Sequence, residues 1–424
     1  MTSQKSWVAG LGAACAMVAA TACGSVEDDG GDLPDAGPQF TIGGTVTGFA
    51  GDALVIAKDG GTPFTITADG AFTLPGGVAD GATYDVAVVS DPACPLRRCT
   101  VASGSGTVAG ADVTDVAITC AEPPYRLSSV SWGDDTVRFT DDLLALADGA
   151  TAQPRKVAGA STGLINSTID AIAVDVDRDL AYVANSTNLL VFADVATIDG
   201  NVAPAQVVTL PDSEQAYSLE LDAAHDRLYV SGENRLFVFD DASAITGAAT
   251  PSATLALATQ PGAMSYDART DRLFVGSNYA DAYYVFDAAA AITSATTPTR
   301  TVTWDNTTGF QGPSTLAIDA CRDRLYVGSN ATSPGGFNLF AIDAASTVDG
   351  VVDLEADAAA SINVGQCIST FVDDGGRLYC WPDSPTSVQI YDAPEAFSGV
   401  VTPTADREIL GVVASGYGLD VQPY

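Results

Sequence analysis

The sequence predicts an all-β chain built from a repeated unit, and three observations predict it. One phrase recurs, an Asp, a polar turn and a short strand centred on an aromatic residue, at Tyr182, Tyr229, Phe274, Tyr326 and Tyr379. Its fullest copies are Asp222-Ala-Ala-His-Asp-Arg-Leu-Tyr-Val230, Asp267-Ala-Arg-Thr-Asp-Arg-Leu-Phe-Val275 and Asp319-Ala-Cys-Arg-Asp-Arg-Leu-Tyr-Val327. The copies are about 45 to 50 residues apart, with several short strands in each period, as in a β-propeller. The strands are rich in β-branched and aromatic residues, and Asp, Asn, Gly and Ser bound them with turn chemistry. The fold class is therefore all-β, a six-bladed β-propeller preceded by a small β-sandwich.

Residues 1–22 read as a secretory signal peptide: one Lys, Lys5, then an apolar, Ala-rich stretch from Trp7 to Ala22 that is short for a membrane span. Ala20-Thr21-Ala22-Cys23 resembles the lipobox of bacterial lipoproteins, with Ala20 where Leu is more usual. The resemblance implies lipidation at Cys23; ordinary cleavage after Ala22 is the rival reading. Residues 23–38 then form a flexible acidic tether, with Glu27, Asp28, Asp29, Asp32 and Asp35 set among Gly and Pro. Gly24 in place of Asp implies, by analogy with Gram-negative sorting, release to the outer membrane.

Residues 39–122 read as a small β-sandwich of evenly spaced short strands. Gly43-Gly-Thr-Val46, Asp69-Gly-Ala-Phe72, Gly81-Ala-Thr-Tyr84, Cys99-Thr-Val101, Gly104-Ser-Gly106 and Val116-Ala-Ile-Thr-Cys120 resemble a repeat of bacterial secreted proteins. That resemblance implies an Ig-like or transthyretin-like spacer or adhesion module. It also implies a Cys99–Cys120 disulfide, since both cysteines fall on its landmarks.

Residues 123–424 form the propeller. In the unit of Tyr229 the middle strand Leu236-Phe-Val-Phe239 is apolar without alternation, as a strand buried on both faces should be. An Asp and a small-residue run follow the third strand, at Asp240, Asp287, Asp343 and Asp392, and predict a helical turn capped by that Asp. Predicted blades span 168–210, 216–257, 262–304, 313–364 and 367–411. Residues 125–160 lack an inner strand and residues 416–421 resemble one, so together they predict a sixth, composite blade that leaves no open sheet edge. Tyr182-Val-Ala-Asn185 and Tyr326-Val-Gly-Ser-Asn330 resemble the repeat of the YVTN family of bacterial surface β-propellers, over roughly residues 126–424. One unit departs from it with Ser231-Gly232 and the last with Cys380-Trp381.

Eight Cys are present, and six remain once Cys15 and Cys23 are set aside. In an exported chain an even number predicts disulfides. Cys367 and Cys380 flank a predicted hairpin turning near Asp374-Gly375-Gly376, which brings them within bridging reach. Cys94 and Cys321 are left over, and the sequence leaves their pairing open. A net charge of −35 opposes binding to nucleic acid and to anionic membrane surfaces. The one His, His225, lies in a polar turn without a Gly-x-Ser-x-Gly elbow, so no catalytic residue is predicted. Trp132, Trp304 and Trp381 share no phase of the repeat, which disfavours a quinone cofactor.

Two functions remain. The first is a membrane-anchored extracytoplasmic lipoprotein that binds or scaffolds a protein or glycan partner through its propeller face. Long inserts at 331–337 and 348–360 would vary that face. The alternative is a calcium-dependent hydrolase or lyase of the lactonase-like propeller type, with Ca2+ in the tunnel. Asn166, Asp170, Glu214, Glu220, Gly262, Ser314, Gln366 and Tyr417 occupy the matching inner-strand starts, and Asp170, Glu214 and Glu220 are the weak metal candidates among them. They form no dense acid set, so no metal or cofactor is predicted. Asp175-Val-Asp177-Arg-Asp179 looks like a calcium loop, but its phase makes it the ordinary turn of the repeat.

Overall fold

The computed structural model describes residues 37–424 except 132, 165–168, 278–279, 305–311, 329–338, 355, 366, 383–386 and 413–417. The signal, Cys23, the tether to residue 36, Trp132, Asn166, Gln366, Tyr417 and the 331–337 insert all lie outside the described residues.

Residues 39–121 form two four-stranded sheets around one core. One has the order Gly70–Thr73, Ile42–Thr47, Val113–Ala121, Arg98–Ala102, the other Phe64–Ile66, Leu54–Lys58, Thr83–Ser90, Ser105–Thr107. Ile42–Thr47 and Val113–Ala121 run parallel, and Gly44 makes their close approach possible: a Cβ there would overlap the Val116 carbonyl. Ile42, Leu54, Ile56, Val116 and Ile118 are fully buried between the sheets.

The remainder folds as a β-propeller. Among the described residues, five sheets follow one another along the chain, beginning with the inner strands Ile169–Asp175, Ser218–Asp222, Pro261–Asp267, Thr315–Asp319 and Cys367–Val372. In a further sheet Leu419–Pro423 pairs antiparallel with Tyr125–Ser131, which continues to Thr136–Thr140 and Arg155–Val157. The hydrophobic core is divided into layers between neighbouring sheets. Phe237 and Phe239 pack toward the sheet before theirs, Leu236 and Val238 toward the one after. Each middle strand is thus buried on both faces, which is why it lacks alternation. The layers return to their start, because Val130, Val137 and Phe139 of the composite sheet pack on Ile172, Val174 and Val183.

The recurrent turn has a physical account. Its first Asp is buried and accepts a backbone N–H three residues on, as Asp175 does from Arg178 (3.0 Å), Asp222 from His225 (3.1 Å) and Asp319 from Arg322 (3.1 Å). Its second Asp has left-handed backbone, φ 57° at Asp179, 52° at Asp226, 52° at Asp271 and 53° at Asp323. That geometry aims the carboxylate at the connection to the outer strand, where it accepts the N–H of Ala196, Ser243, Ala290 and Ser346 at 2.7 to 2.9 Å.

This corrects the expected capping. The turns Ala242–Ala244, Ala289–Ala291 and Pro394–Ala396 are single 3₁₀ turns without a cap from the residue before them. Asp240, Asp287, Asp343 and Asp392 instead pair with Arg227 (2.5 Å), Arg272 (2.6 Å), Arg324 (2.5 Å) and Arg407 (2.5 Å). Register is the reason: Asp240, Asp287 and Asp343 lie directly across the ladder from Arg227, Arg272 and Arg324. A cross-strand guanidinium outcompetes a single backbone N–H for the carboxylate.

Candidate functional site

The inner strands surround a central cavity of about 720 Å3. Small residues leave that space open: Ala171, Ala173, Ser218, Gly262, Ser265, Ser314, Ala317, Ser369 and Gly418 all line it. Adjacent inner strands belong to different sheets, so no ladder satisfies the edge of each strand that faces its neighbour. Side chains do so instead. Ser218 Oγ accepts the Met264 N–H (3.2 Å), Ser265 Oγ that of Ile318 (3.0 Å), Thr315 Oγ1 that of Thr370 (2.9 Å) and Asp420 Oδ2 that of Val174 (2.6 Å). Much of the polar lining is therefore committed to holding the inner strands side by side.

Three acids on the inner strands line the cavity without a basic partner among the described residues. Burial, with repulsion from Asp420 second, pushes the Glu220 carboxyl well above the usual range, against one backbone hydrogen bond from Tyr266. Burial likewise raises Asp420 to about 6, against hydrogen bonds from Gln422 Nε2 (2.8 Å) and the Val174 N–H. Asp170 is raised by burial and accepts from Gln215 Nε2 at 3.0 Å. Glu214 does not line the cavity; it pairs with Arg235 at 3.3 Å and faces the turn at Asn234. The three metal candidates Asp170, Glu214 and Glu220 are thus not brought together. Among the described residues no three His, Cys, Asp or Glu side chains are grouped to hold a metal ion. Gly262 and Ser314 line the wall; His225 remains largely exposed in its turn, its Nδ1 2.7 Å from Asp222 Oδ2.

One mouth of the cavity is covered. Ala93 and Leu96, from the segment before Arg98–Ala102, form part of its wall. A Cys94–Cys321 disulfide fixes that segment to an Asp turn of the ring, and the Leu96 N–H donates to the Asp374 carbonyl at 3.0 Å. Asp52 pairs with Arg269 (3.5 Å) and Glu122 with Arg377 (2.5 Å) across the same junction. The structure also pairs Cys99 with Cys120 and Cys367 with Cys380. Three disulfides fit an exported protein in an oxidising compartment. Among the described residues no helix is long and apolar enough to cross a membrane.

Sequence reasoning missed Asp420 as a cavity acid and Cys94, Leu96 and Asp374 as its closed end. Asp420 could have been found by aligning the last inner strand with the others, since it holds the register position of Glu220 and of Ser265, which makes the same stitch.

No family model matches the chain, and no curated protein matches it. Among solved structures, a chain in the crystal structure of a nidogen/laminin complex is similar to it at 11% identity with a TM-score of 0.47, over 70% of this chain and 98% of that one.

Proposed function

We propose that this protein is a membrane-anchored extracytoplasmic lipoprotein that binds or scaffolds a protein or glycan partner through one face of its propeller. In this reading residues 1–22 are a signal peptide, Cys23 carries the lipid, 23–38 are the tether, 39–122 a β-sandwich and 123–424 a six-bladed propeller closed by its composite sheet. The observation that carries it is the asymmetry of the two faces. The 39–122 domain lies on the face of the Asp turns, and among the described residues it makes no contact with the opposite face, that of the turn at Ser231–Asn234, which is left to meet a partner.

A photo-reactive residue at Glu233, on the open face, or at His225, on the turn face, tests it in cells that export the protein. Discrete adducts from position 233 and none from 225 are expected; adducts of equal yield from both faces, or from neither, would overturn the reading. Lipidation is checked separately by palmitate labelling that Cys23→Ala abolishes. Calcium titration followed by melting temperature addresses the enzyme alternative, because an ion that binds the folded state selectively must raise stability. A saturable rise would favour the tunnel-metal reading.

A further inference from the structure

We propose that the central cavity is a blind ligand pocket, floored by the small domain, that takes an organic cation bearing an ammonium or guanidinium group. The proposal rests on the binding-module reading and names the ligand class for its open face. Propeller tunnels run from face to face, but here Ala93 and Leu96 line one end, locked by Cys94–Cys321 and the Asp52–Arg269 and Glu122–Arg377 pairs. What remains is a space of about 720 Å3, within the range of small-molecule sites.

Its electrostatics select the sign of the ligand. Arg269 lines the closed end and is spent on Asp52, while Asp373, also at that end, is compensated by Arg377 at 3.0 Å. Asp374 sits there too and is raised first by burial and then by its repulsion from Asp373. Farther along the wall Asp170, Glu220 and Asp420 have no ion-pair partner among the described residues. Tyr217, Tyr266 and Phe371 add aromatic surface on which a cation can rest. A bound cation favours the ionised carboxyls, so binding must release protons from Glu220 and Asp420. An anion would meet uncompensated repulsion, and a neutral polyol would gain nothing from the acids.

The test is isothermal titration of the mature exported protein with spermidine and agmatine, against sorbitol and acetate, in two buffers of different ionisation enthalpy. Expected are binding of the amines with proton release, an affinity that rises about tenfold from pH 5.5 to 7.5, and about tenfold weaker binding by Glu220→Gln. Glu220→Gln keeps an oxygen for the Tyr266 N–H, and its melting temperature shows whether it is folded. A cyclic peptide tipped with Lys distinguishes the source of the cation: free amines that bind mark a small-molecule ligand, and a peptide that binds alone marks a partner's side chain. No binding by either, equal binding of sorbitol, or unchanged affinity in folded Glu220→Gln would overturn the proposal. So would a response to Ca2+ that the amines do not share. The cross-linking outcome at Glu233 does not depend on amine binding, so the failure of one reading is distinguishable from failure of the other.

Discussion

Asp420 holds the Val174 N–H across the seam where the ring returns on itself, and it does so as a buried acid. Its folded pKa, about 6, lies above the usual carboxylate value of 3.8. A proton therefore binds the folded state more tightly than the unfolded one. The stabilisation linked to it is complete at low pH and is lost as pH rises through about 6. Asp420→Asn stays neutral and retains an oxygen for Val174. Relative to the parent, its unfolding free energy should rise by about 1.4 kcal/mol between pH 5 and pH 8 in urea titrations. A difference independent of pH would show that the carboxyl is not the titrating group. Glu220 and Asp374 face the same cavity and titrate in the same direction, so the slope is read as a difference between the two proteins.

At the scale of elements, the Arg that opens the second strand is the part most readily underestimated from sequence. Arg324 is buried, pairs with Asp343, and also donates to the carbonyls of Pro394, Glu395 and Phe397 in the connection of the following sheet, at 3.2 to 3.3 Å. Arg227 does the same toward Ala289 and Ala290, and in the last full sheet Arg407, on the outer strand, does so toward Leu144. One guanidinium thus ties its own hairpin to the neighbouring sheet, with a fork that Lys cannot reproduce. Arg324→Ala should cost about 3 kcal/mol in denaturant unfolding, because it leaves Asp343 and buried carbonyls without a donor, and Arg324→Lys should restore less than half. Near-complete rescue by Lys would reduce the role to charge alone.

The repeated turn, the aromatic strand centres and the doubly buried strands were legible because each repeats locally and every copy reinforces the pattern. The division of labour among the Asp residues was not. Asp240 and Asp226 look alike in sequence, and only ladder register and a left-handed φ separate an Arg partner from a cap. Glu214 and Glu220 both fall near an inner strand, yet the side chain of one turns to Arg235 and that of the other into the cavity. The outer strands are also joined by parallel pairing that no local motif announces, at Gly247, Gly350 and Gly399.

For the whole molecule, the Cys94–Cys321 bridge makes the 39–122 domain and the ring one mechanical body. A spacer would need no such lock. The cysteines are 227 positions apart, and the chain-entropy model assigns a loop of that size about 5 kcal/mol. Cys321→Ser should lower the melting temperature and expose residues 91–98 to limited proteolysis, with the ring still folded by near-ultraviolet dichroism. Unchanged protease resistance would mean that the salt bridges alone hold the domain. Pairing of Cys94 with Cys321 was unreadable beforehand because it depends on docking, which neither segment encodes alone.

The composite sheet also dictates an order of assembly. Most sheets of the ring join neighbouring stretches of chain, whereas the last one must gather partners as remote as Asp142 and Tyr424, 282 positions apart. Contacts so distant form late, after the local hairpins have repaid their own entropy. Until then Tyr125–Ser131 offers a bare strand to any passing chain. Until the ring closes, the chain therefore passes through an interval of vulnerability to pairing with other chains.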